Sequence, residues 1–291
     1  MANMTATTMA TYLQEQWSQK ALATLRSNVV LENLVDRRWE PELGVGDGDT
    51  VNIPNFSQNS AAVARSTFGT GAATTFDAVT ESQTQLVVNK QASKAWQMPV
   101  EMSVQKMAVY EPLLTEGAGQ ALALYLDSEL AADNSNGIDG FTTNVVGTDN
   151  VDFGEDELLT CQENLNGVNA PVTDRFLVIS PKSHTSLMKI DSVRNSLYAT
   201  AMGTVPADKA HGYLGKYLTF SVYMSNNLEA GTSGKKNGAF HMYSIALCRQ
   251  KKVTFLRDID LTAGAFIQVY AYIVFGHKMV RETFGNELDG R

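Results

Sequence analysis

The chain has few of the residues from which catalytic and metal sites are usually built. Its two cysteines, Cys161 and Cys248, are far apart and form no CxxC pair, so the sequence predicts neither a disulfide framework nor a zinc site. Two free thiols are typical of a reducing cytoplasm. None of the four histidines stands at metal-ligand spacing from another His, Cys or carboxylate, and HExxH, GxSxG and P-loop motifs are absent. The sequence therefore predicts no catalytic residue, no cofactor and no metal ion.

Charge is also scarce, and it has an acidic excess. Charged residues make up 19% of the 291 residues, below the usual share of about 25%. With 23 basic and 31 acidic side chains the net charge is −8, which argues against tight binding to nucleic acid, since that needs clustered Lys and Arg. A protein that forms a container for nucleic acid is a different case, because a mildly acidic inner wall would repel packed DNA and let it slide. Low surface charge also suits a protein that buries much of its exterior against other copies.

Long hydrophobic runs are missing as well. The longest, Ala263–Phe275, is interrupted by Gln268 and falls short of the roughly 20 residues that cross a bilayer. The N-terminal sequence MANMTATTMA has no basic region followed by an apolar run, so we expect no secretory signal. The sequence thus predicts no association with a membrane.

The most informative stretch is residues 57–80, SQNSAAVARSTFGTGAATTFDAVT. Sixteen of its 24 residues are Ala, Ser, Thr or Gly, and its only charges are Arg65 and Asp77. It lacks the apolar mass to form a core of its own and the charge that keeps a disordered segment solvated. Strand-like sequence flanks it on both sides, so it is an internal arm at the tip of a long hairpin. We expect this arm to lie on a neighbouring copy, which indicates an assembly protein.

Apolar periodicity predicts helices in four places. Residues Tyr12–Val35 form an amphipathic helix, which packs either on the chain's own core or beneath an adjacent subunit. Pro112–Asp133 has a helical stripe, a proline suited to the first turn and the stop signal NSNG after it, and would span about 33 Å. A shorter helix is predicted at Glu155–Asn166, and Pro181 opens another.

The predicted strands fall in two groups. Val51 and Ile53 alternate with polar residues after a Gly-rich turn, and a return strand lies within Thr84–Trp96, so these two form the hairpin that carries the arm. The other predicted strands lie in the second half of the chain: Arg175–Ser180, Tyr217–Met224, Ala239–Cys248, Lys252–Leu256 and Ala265–Phe275. A chain of this length is expected to form one large domain or two intertwined ones.

Two pairs of side chains have a chemistry that catalysis uses. Ser180 and His184 lie on a strand-to-helix turn like a nucleophile and its base, but i,i+4 proximity is common and no Gly-flanked elbow surrounds Ser180. We interpret this pair as a helix N-terminus with a solvated histidine. Glu129 and Asp133 stand one turn apart on the long helix, where we expect a solvated helix face and not an acid–base pair. The sequence therefore predicts that the protein is not an enzyme.

The order of these parts resembles the major capsid proteins of tailed bacteriophages, which have the Hong Kong 97-type fold. Four phrases are similar to phrases of that family: GDTVNIP (Gly48–Pro54), RFLVISPKSHTSLMKID (Arg175–Asp191), LGKYLTFSVYMSNNL (Leu214–Leu228) and YIVFGHKMVRE (Tyr272–Glu282). The resemblance covers most of the chain. Two positions depart from it, because Phe275 replaces the usual Tyr before Gly and Thr283 stands where Pro-Glu would follow.

The resemblance implies an α+β fold of the Hong Kong 97 type with four parts. These are an N-terminal arm, an extended β-hairpin loop, a peripheral domain with a long spine helix, and an axial domain. The expected division assigns residues 1–35 to the arm, 49–95 to the hairpin loop, 36–48 with 96–133 and 251–291 to the peripheral domain, and 134–250 to the axial domain.

The resemblance also implies a structural function. The chain would self-assemble as pentamers and hexamers into the icosahedral head that encloses a phage genome, and would hold double-stranded DNA without binding it specifically. Side chains expected at contacts between subunits are Trp17, Phe68, Phe76 and Val79. Scaffolding, portal and decoration proteins would be the partners of this shell. The protein would occur in the virion capsid, after assembly in the host bacterial cytoplasm.

Two further features of the family bear on the chain. No long scaffolding segment precedes the N-terminal arm, so we expect any scaffold to be a separate protein. Some relatives join their subunits by a covalent Lys–Asn crosslink through the extended loop. Lys90 and Lys94 lie near that loop, but the sequence identifies no acceptor, and no crosslink is predicted.

Three other functions stay open at this point. A bacterial nanocompartment shell has the same fold and encloses enzymes in place of a genome, so DNA in native particles would separate the two. A hydrolase based on Ser180 and His184, or a monomeric ligand-binding protein, belongs to a different class. A persistent monomer in size-exclusion chromatography would remove both shell interpretations.

Overall fold

The computed structural model describes residues 29–43, 48–57, 80–100, 111–191, 195, 212–228, 230–231, 234–261 and 265–290. Three α-helices have their bounds in these ranges: α1 (Glu111–Ala132), α2 (Glu155–Gly167) and α3 (Pro181–Leu187). Eleven strands have their bounds in the same ranges: β1 (Thr50–Ser57), β2 (Thr80–Val87), β3 (Lys90–Pro99), β4 (Val145–Gly147), β5 (Arg175–Ile179), β6 (Tyr213–Tyr217), β7 (Phe220–Met224), β8 (Lys235–His241), β9 (Ile245–Asp260), β10 (Phe266–Met279) and β11 (Gly285–Gly290). The α+β class predicted from the sequence is confirmed.

The predicted hairpin is present at its base. β1 and β2 form a two-stranded antiparallel sheet, in which Thr50 lies opposite Val87 and Ser57 lies opposite Thr80. The arm between these strands, residues 58–79, lies outside the described residues. The return strand ends earlier than predicted, because β3 begins at Lys90 and joins a different sheet.

A three-stranded antiparallel sheet of order β3-β10-β9 carries the long helix on one face. Every second side chain of the central strand β10 is buried, as the two-residue period of a strand requires when one face is covered. These side chains pack with the buried stripe of α1: Ala271, Ile273 and Phe275 on the strand, and Ala118, Leu122 and Leu126 on the helix. The i,i+4 spacing of the stripe aligns the helix along the sheet.

A mixed six-stranded sheet of order β4-β11-β8-β5-β7-β6 forms the rest of the described chain. Its strand β5 is buried along its whole length, as expected for a strand that is covered on both faces. Leu177 and Ile179 lie in a core shared with α2, which contributes Leu158, Cys161 and Leu165. Phe176 and Val178 lie in the other core, with α1 and residues 30–35. The sheet therefore separates two hydrophobic cores.

The predicted long helix, Pro112–Asp133, agrees closely with α1, but two predicted strands are each broken. Tyr217–Met224 is wrong as a single strand, because Leu218 adopts a φ of 51° and turns the chain between β6 and β7. Ala239–Cys248 is likewise interrupted by a 3₁₀ turn at Met242–Ser244, between β8 and β9. The sequence predicts neither β4 nor β11, which pair in parallel with each other.

The N-terminal helix prediction can be compared with the structure only at its end. Of Tyr12–Val35, residues 29–35 are described, and there the chain forms one 3₁₀ turn at Leu31–Asn33 in place of an α-helix. The prediction is wrong for this part. Burial explains the difference, because Val30, Leu31, Leu34 and Val35 all lie in the core beneath the six-stranded sheet.

The division into four parts stays a prediction, and the sheet order bears on two of its limits. β9 runs unbroken across the expected boundary at residue 250. β11 lies between β4 and β8 in the six-stranded sheet, where a Cβ added at Gly290 or Gly285 would meet the ring of Phe153 or Phe141. The six-stranded sheet thus joins residues 285–290 to strands of residues 134–250, whereas the resemblance assigns 251–291 to the peripheral domain.

Candidate functional site

Three charged side chains meet where the hairpin joins the body of the protein. Lys90, the first residue of β3, lies opposite Phe275 on the sheet face that α1 covers. Its Nζ lies 2.6 Å from Glu129 Oε2 and 2.9 Å from Asp133 Oδ2. The two carboxylates stand one helical turn apart, at the C-terminal end of α1, and so face the same ammonium group. We call Lys90, Glu129 and Asp133 the root clamp.

The root clamp corrects the prediction that Glu129 and Asp133 form a solvated helix face. Partial burial alone would raise the pKa of Asp133, but hydrogen bonds from Lys90 and from the Ser135 N–H outweigh it and lower the pKa to about 2. Burial opposes the charge of Lys90 too, and its hydrogen bonds to both carboxylates still raise the Lys90 pKa. All three groups are therefore charged at neutral pH, and Lys90 is held as an ammonium ion.

A buried histidine lies beside the root clamp. His277 Nε2, on β10, lies 3.1 Å from Asp133 Oδ2, and the His277 side chain is fully buried. Burial, reinforced by the positive charge of Lys90, lowers the pKa of His277 to about 4. His277 is therefore neutral at physiological pH.

The backbone of β10 touches the base of the hairpin directly. We call this base, where β2 ends and residues 87–90 lead into β3, the hairpin root. A Cβ added at Gly276 would meet the carbonyl oxygen of Val87 and would lie 2.7 Å from Val88 Cα. Only glycine allows this approach, so its role here is close packing of two backbones. Beneath the root lies a small apolar cluster formed by Leu43, Val51, Ile53, Leu86, Val88, Ala246 and Cys248.

A buried carboxylate fixes the N-terminal segment to the body. Asp127, on α1, is fully buried. Its Oδ1 accepts hydrogen bonds from the N–H groups of Val30, at 3.1 Å, and Leu31, at 2.6 Å, and its Oδ2 accepts one from Asn227 Nδ2 at 2.8 Å. Burial raises the Asp127 pKa, although hydrogen bonds from Asn227 and from the N–H groups of Leu31, Val30 and Glu32 oppose the rise. One side chain thus joins the helix, residues 30–31 and the loop after β7.

A second charged cluster holds the same segment on β9. Arg249 Nε lies 2.8 Å from Glu40 Oε1, and Arg249 Nη1 also pairs with Glu32. The Arg249 side chain is only 15% exposed, so these ion pairs are shielded from solvent. Residues 29–43 are therefore fastened to the body of the protein at two places.

The far end of the three-stranded sheet exposes apolar side chains. Leu256, Ile259 and Leu261 are 53%, 56% and 76% exposed. They lie on or just after β9, which is an edge strand of this sheet. An exposed apolar edge is a site at which another chain can pack. We call these three residues the β9 tip.

The residues considered for catalysis have structural roles. Ser180 caps α3, since its Oγ accepts the Ser183 N–H at 3.0 Å and shares a 2.8 Å hydrogen bond with the Ser183 hydroxyl. The predicted helix N-terminus is thus confirmed, but His184 is not simply solvated, because partial burial lowers its pKa. Burial also raises the pKa of Cys161 to about 12 and that of Cys248 to about 11, so both thiols are unreactive.

A cleft of about 440 Å³ lies between residues 30–34 and the six-stranded sheet. Its wall includes Arg175, whose guanidinium donates to the carbonyls of Ala170 and Pro171 and to the side chains of Asn166 and Thr219. These bonds give Arg175 a structural role in the wall of the cleft. Across the described ranges, no three His, Cys, Asp or Glu side chains gather as metal ligands. Within the same part of the chain, no helix is long and apolar enough to cross a membrane.

The four side chains predicted at contacts between subunits lie outside the described residues. They are Trp17, Phe68, Phe76 and Val79. Their role stays a prediction. The root clamp, Asp127 and Arg249 were not predicted as functional groups. Glu129 and Asp133 were recognised by their i,i+4 spacing and Lys90 by its place near the extended loop, but the sequence did not bring them together because they are distant along the chain.

The fold is that of solved capsid structures. No protein-family model matches the chain, and no curated protein matches it. A solved structure from Mycobacterium phage Che8 is 21% identical, with a TM-score of 0.72 over 95% of this chain and 97% of that one. A capsid structure of the cyanophage P-SCSP1u is 13% identical, with a TM-score of 0.69 over 98% of this chain and 94% of that one. The capsid of an empty GTA particle is 12% identical, with a TM-score of 0.64 over 98% and 97% of the two chains. The predicted resemblance is confirmed at the level of the fold.

Proposed function

We propose that the chain is a structural major capsid protein of a tailed phage, whose copies assemble as pentamers and hexamers into a closed icosahedral head. The observation that carries this proposal is the likeness to capsid structures over nearly the whole length of both chains. A likeness limited to one sheet would suggest only a common building block. Here the matches cover 95–98% of this chain and 94–97% of the solved chains.

The exposed surfaces support assembly with further copies of this chain. The β9 tip presents three large apolar side chains on an edge strand, and burying each would contribute roughly 1.5–3 kcal/mol. A protein that stays monomeric rarely keeps such an edge uncovered. We propose that the β9 tip is a contact between subunits.

The hairpin arm would add contacts on a neighbouring copy. Phe68, Phe76 and Val79 are the apolar residues of residues 57–80 that we propose as anchors, and Trp17 would play the same role in the N-terminal arm. Main-chain pairing along an extended segment supplies affinity, and side-chain pockets fix the register. Many modest contacts of this kind make a closed shell stable because they act together.

The charge of the chain suits a container for double-stranded DNA. With a net charge of −8, the shell would enclose the genome without specific binding. In this proposal the protein resides in the virion capsid after assembly in the host bacterial cytoplasm, has no enzymatic activity, and has scaffolding, portal and decoration proteins as separate partners.

The experiment is to purify the expressed protein and measure its mass by light scattering after size-exclusion chromatography, with electron micrographs of the same fractions. We expect five or six times the 31.7 kDa subunit mass, or closed particles. A monomer at every concentration would contradict the proposal. Particles purified from a natural source that hold protein cargo and no DNA would favour a nanocompartment shell.

Matched variants test the β9 tip within the same assay. Leu261→Glu places a charge at the most exposed apolar position of the tip, so we expect weaker assembly with an unchanged circular dichroism spectrum. Leu159→Glu is the control, because Leu159 is also exposed, at 44%, but lies on α2. Equal loss of assembly in both variants, or in neither, would show that the β9 tip is not a specific contact.

A further inference from the structure

We propose that the root clamp, together with Gly276, sets the direction in which the β1–β2 hairpin leaves the body of the subunit. The hairpin is a sheet of its own, and it shares no strand pairing with either larger sheet in the described part of the chain. Ladder hydrogen bonds therefore do not fix its orientation. Contacts at its root must do so.

Two contacts enclose a very short joint. On the hairpin side, Val87 and Val88 lie against the backbone at Gly276. On the body side, Lys90 is bound to Glu129 and Asp133. Only Val88 and Asn89 separate the end of β2 from the start of β3, so two fixed points lie within three residues of each other. The hairpin root packs against the backbone at Gly276, and the ion pairs of Lys90 hold the next residues of the chain close to this contact.

The other root contacts are weaker constraints on direction. Gln250 Nε2 donates to the Gly48 carbonyl at 2.7 Å, in an exposed position where water competes for the bond. The Val88 N–H donates to Asp49 O at 2.8 Å, which closes the hairpin on itself and does not tie it to the body. The apolar cluster under the root is non-directional. Lys90 is the first residue of β3 and pairs with Phe275, so its ion pairs with the helix fix the body end of the joint, from which the hairpin leaves.

The charge balance at the root makes Lys90 the critical member. Glu129 and Asp133 face Lys90 from α1, His277 faces it from β10, and Tyr125 hydrogen-bonds Glu129. Removal of the ammonium would leave two half-buried carboxylates facing each other. Because both carboxylates belong to the end of α1, their need for solvent would open the contact between the last turn of the helix and the start of β3.

A small change of angle would have a large effect at a distance. Glu81, near the far end of β2, lies about 24 Å along the strand from Val88. A tilt of about 15° at the joint would move it by about 6 Å, more than a side-chain pocket tolerates. In this interpretation, which rests on the proposed shell function, Lys90 is a positioning residue that decides where the hairpin meets the neighbouring copy.

The test measures hairpin direction without relying on assembly. Spin labels are placed at Glu81→Cys on the hairpin and Glu163→Cys on α2, both exposed positions, and the labelled protein is diluted with unlabelled protein. The native thiols of Cys161 and Cys248 are fully buried and are not labelled in the folded protein. Pulsed electron paramagnetic resonance then gives the distance distribution within one subunit.

Three variants of β3 are compared. Lys90→Met removes the ammonium and keeps the aliphatic stem, and we expect a distance distribution shifted or broadened by several ångströms. Lys90→Arg keeps the charge, and we expect it to retain the wild-type distribution. Lys94→Met removes an exposed charge on the same strand and is the matched control. A wild-type distribution in Lys90→Met would overturn the proposal.

A further variant tests the proposal if Lys90→Met fails to fold. The triple variant Lys90→Met, Glu129→Gln, Asp133→Asn removes the clamp without leaving buried unpaired charge, so it should fold. A wild-type distance distribution in the triple variant would equally overturn the proposal. Light scattering of the same proteins keeps the two hypotheses apart, because a wild-type protein that is monomeric at every concentration contradicts the shell function while the distances still test the clamp.

Discussion

Replacement of Asp127 by alanine should loosen one of the two places at which residues 29–43 are fastened to the body. The carboxylate accepts two backbone N–H groups, from Val30 and Leu31, and the side-chain amide of Asn227. All of these bonds are lost in Asp127→Ala. The two backbone donors lie in a buried position where no other described side chain replaces the lost acceptor.

The magnitude follows from the number of buried donors left without a partner. Each costs roughly 1–3 kcal/mol, and the carboxylate's own burial penalty, visible in its raised pKa, offsets part of the sum. We expect the free energy of unfolding to fall by about 3 kcal/mol. Asp127→Asn keeps an acceptor for the backbone donors but turns an amide toward Asn227, so its cost should be about 1 kcal/mol.

Urea unfolding of isolated subunits, followed by tryptophan fluorescence, measures the loss of stability. Hydrogen exchange measures its location, and we expect peptides covering residues 29–43 to exchange roughly a hundredfold faster in Asp127→Ala. Glu116→Ala, at an exposed position on the same helix, is the control and should change stability by less than about 0.5 kcal/mol. A stability of Asp127→Ala within that margin, with unchanged exchange in residues 29–43, would refute the reasoning.

Two further perturbations have a predicted sign. The pKa of His277 is lowered to about 4, below its unfolded value, so the unfolded chain takes up a proton first as the pH falls from about 6.5 to about 4. Stability should fall by up to about 3 kcal/mol over that range, and chemical unfolding of His277→Gln across it should show a clearly smaller slope, whereas an equal slope would disprove the assignment. Leu218 holds a φ of 51° at an exposed turn, so Leu218→Gly should relieve strain and raise the stability by up to about 1 kcal/mol. A lower melting temperature for Leu218→Gly would mean that the leucine side chain stabilises the turn more than the strain costs.

Local patterns were enough to predict the helices that dominate the fold. α1 is long, has an apolar stripe at i,i+4 spacing, and is bounded by Pro112 and a Gly/Asn-rich stop, so its position follows from neighbours in the sequence. The same holds for α2 and for the start of α3, where Ser180 and Pro181 provide the cap and the first turn.

Non-local structure was beyond local patterns. β11 has the sequence GNELDG, which lacks the alternation of a strand, and it is a strand because β4 and β8 offer it partners on both sides. The turn at Leu218 is invisible in the sequence because a leucine rarely adopts positive φ. Residues 30–35 have the periodicity of a helix, but their packing under the six-stranded sheet overrides it and they form no α-helix.

In the candidate site, too, local patterns identified some residues, while contacts between distant residues could not be predicted. Glu129 and Asp133 could be recognised as a pair on one helix face, but their partner Lys90 lies about forty residues away, and the close approach of Gly276 depends on how β10 crosses the hairpin. A charged pair on a helix predicts solvent exposure unless the opposing strand is known. The sequence therefore identified Glu129 and Asp133 as a pair, but only the tertiary contact with Lys90 showed that they form partly buried ion pairs and not a solvated face.

Residues 30–35 complete the hydrophobic core under the six-stranded sheet, where Val30, Leu31 and Leu34 pack on the same face as Phe176 and Val178. A protease that cut into residues 30–34 from the N-terminal side would remove three buried side chains and expose the face of the sheet that they cover. Processing that extends this far would therefore destabilise the folded subunit.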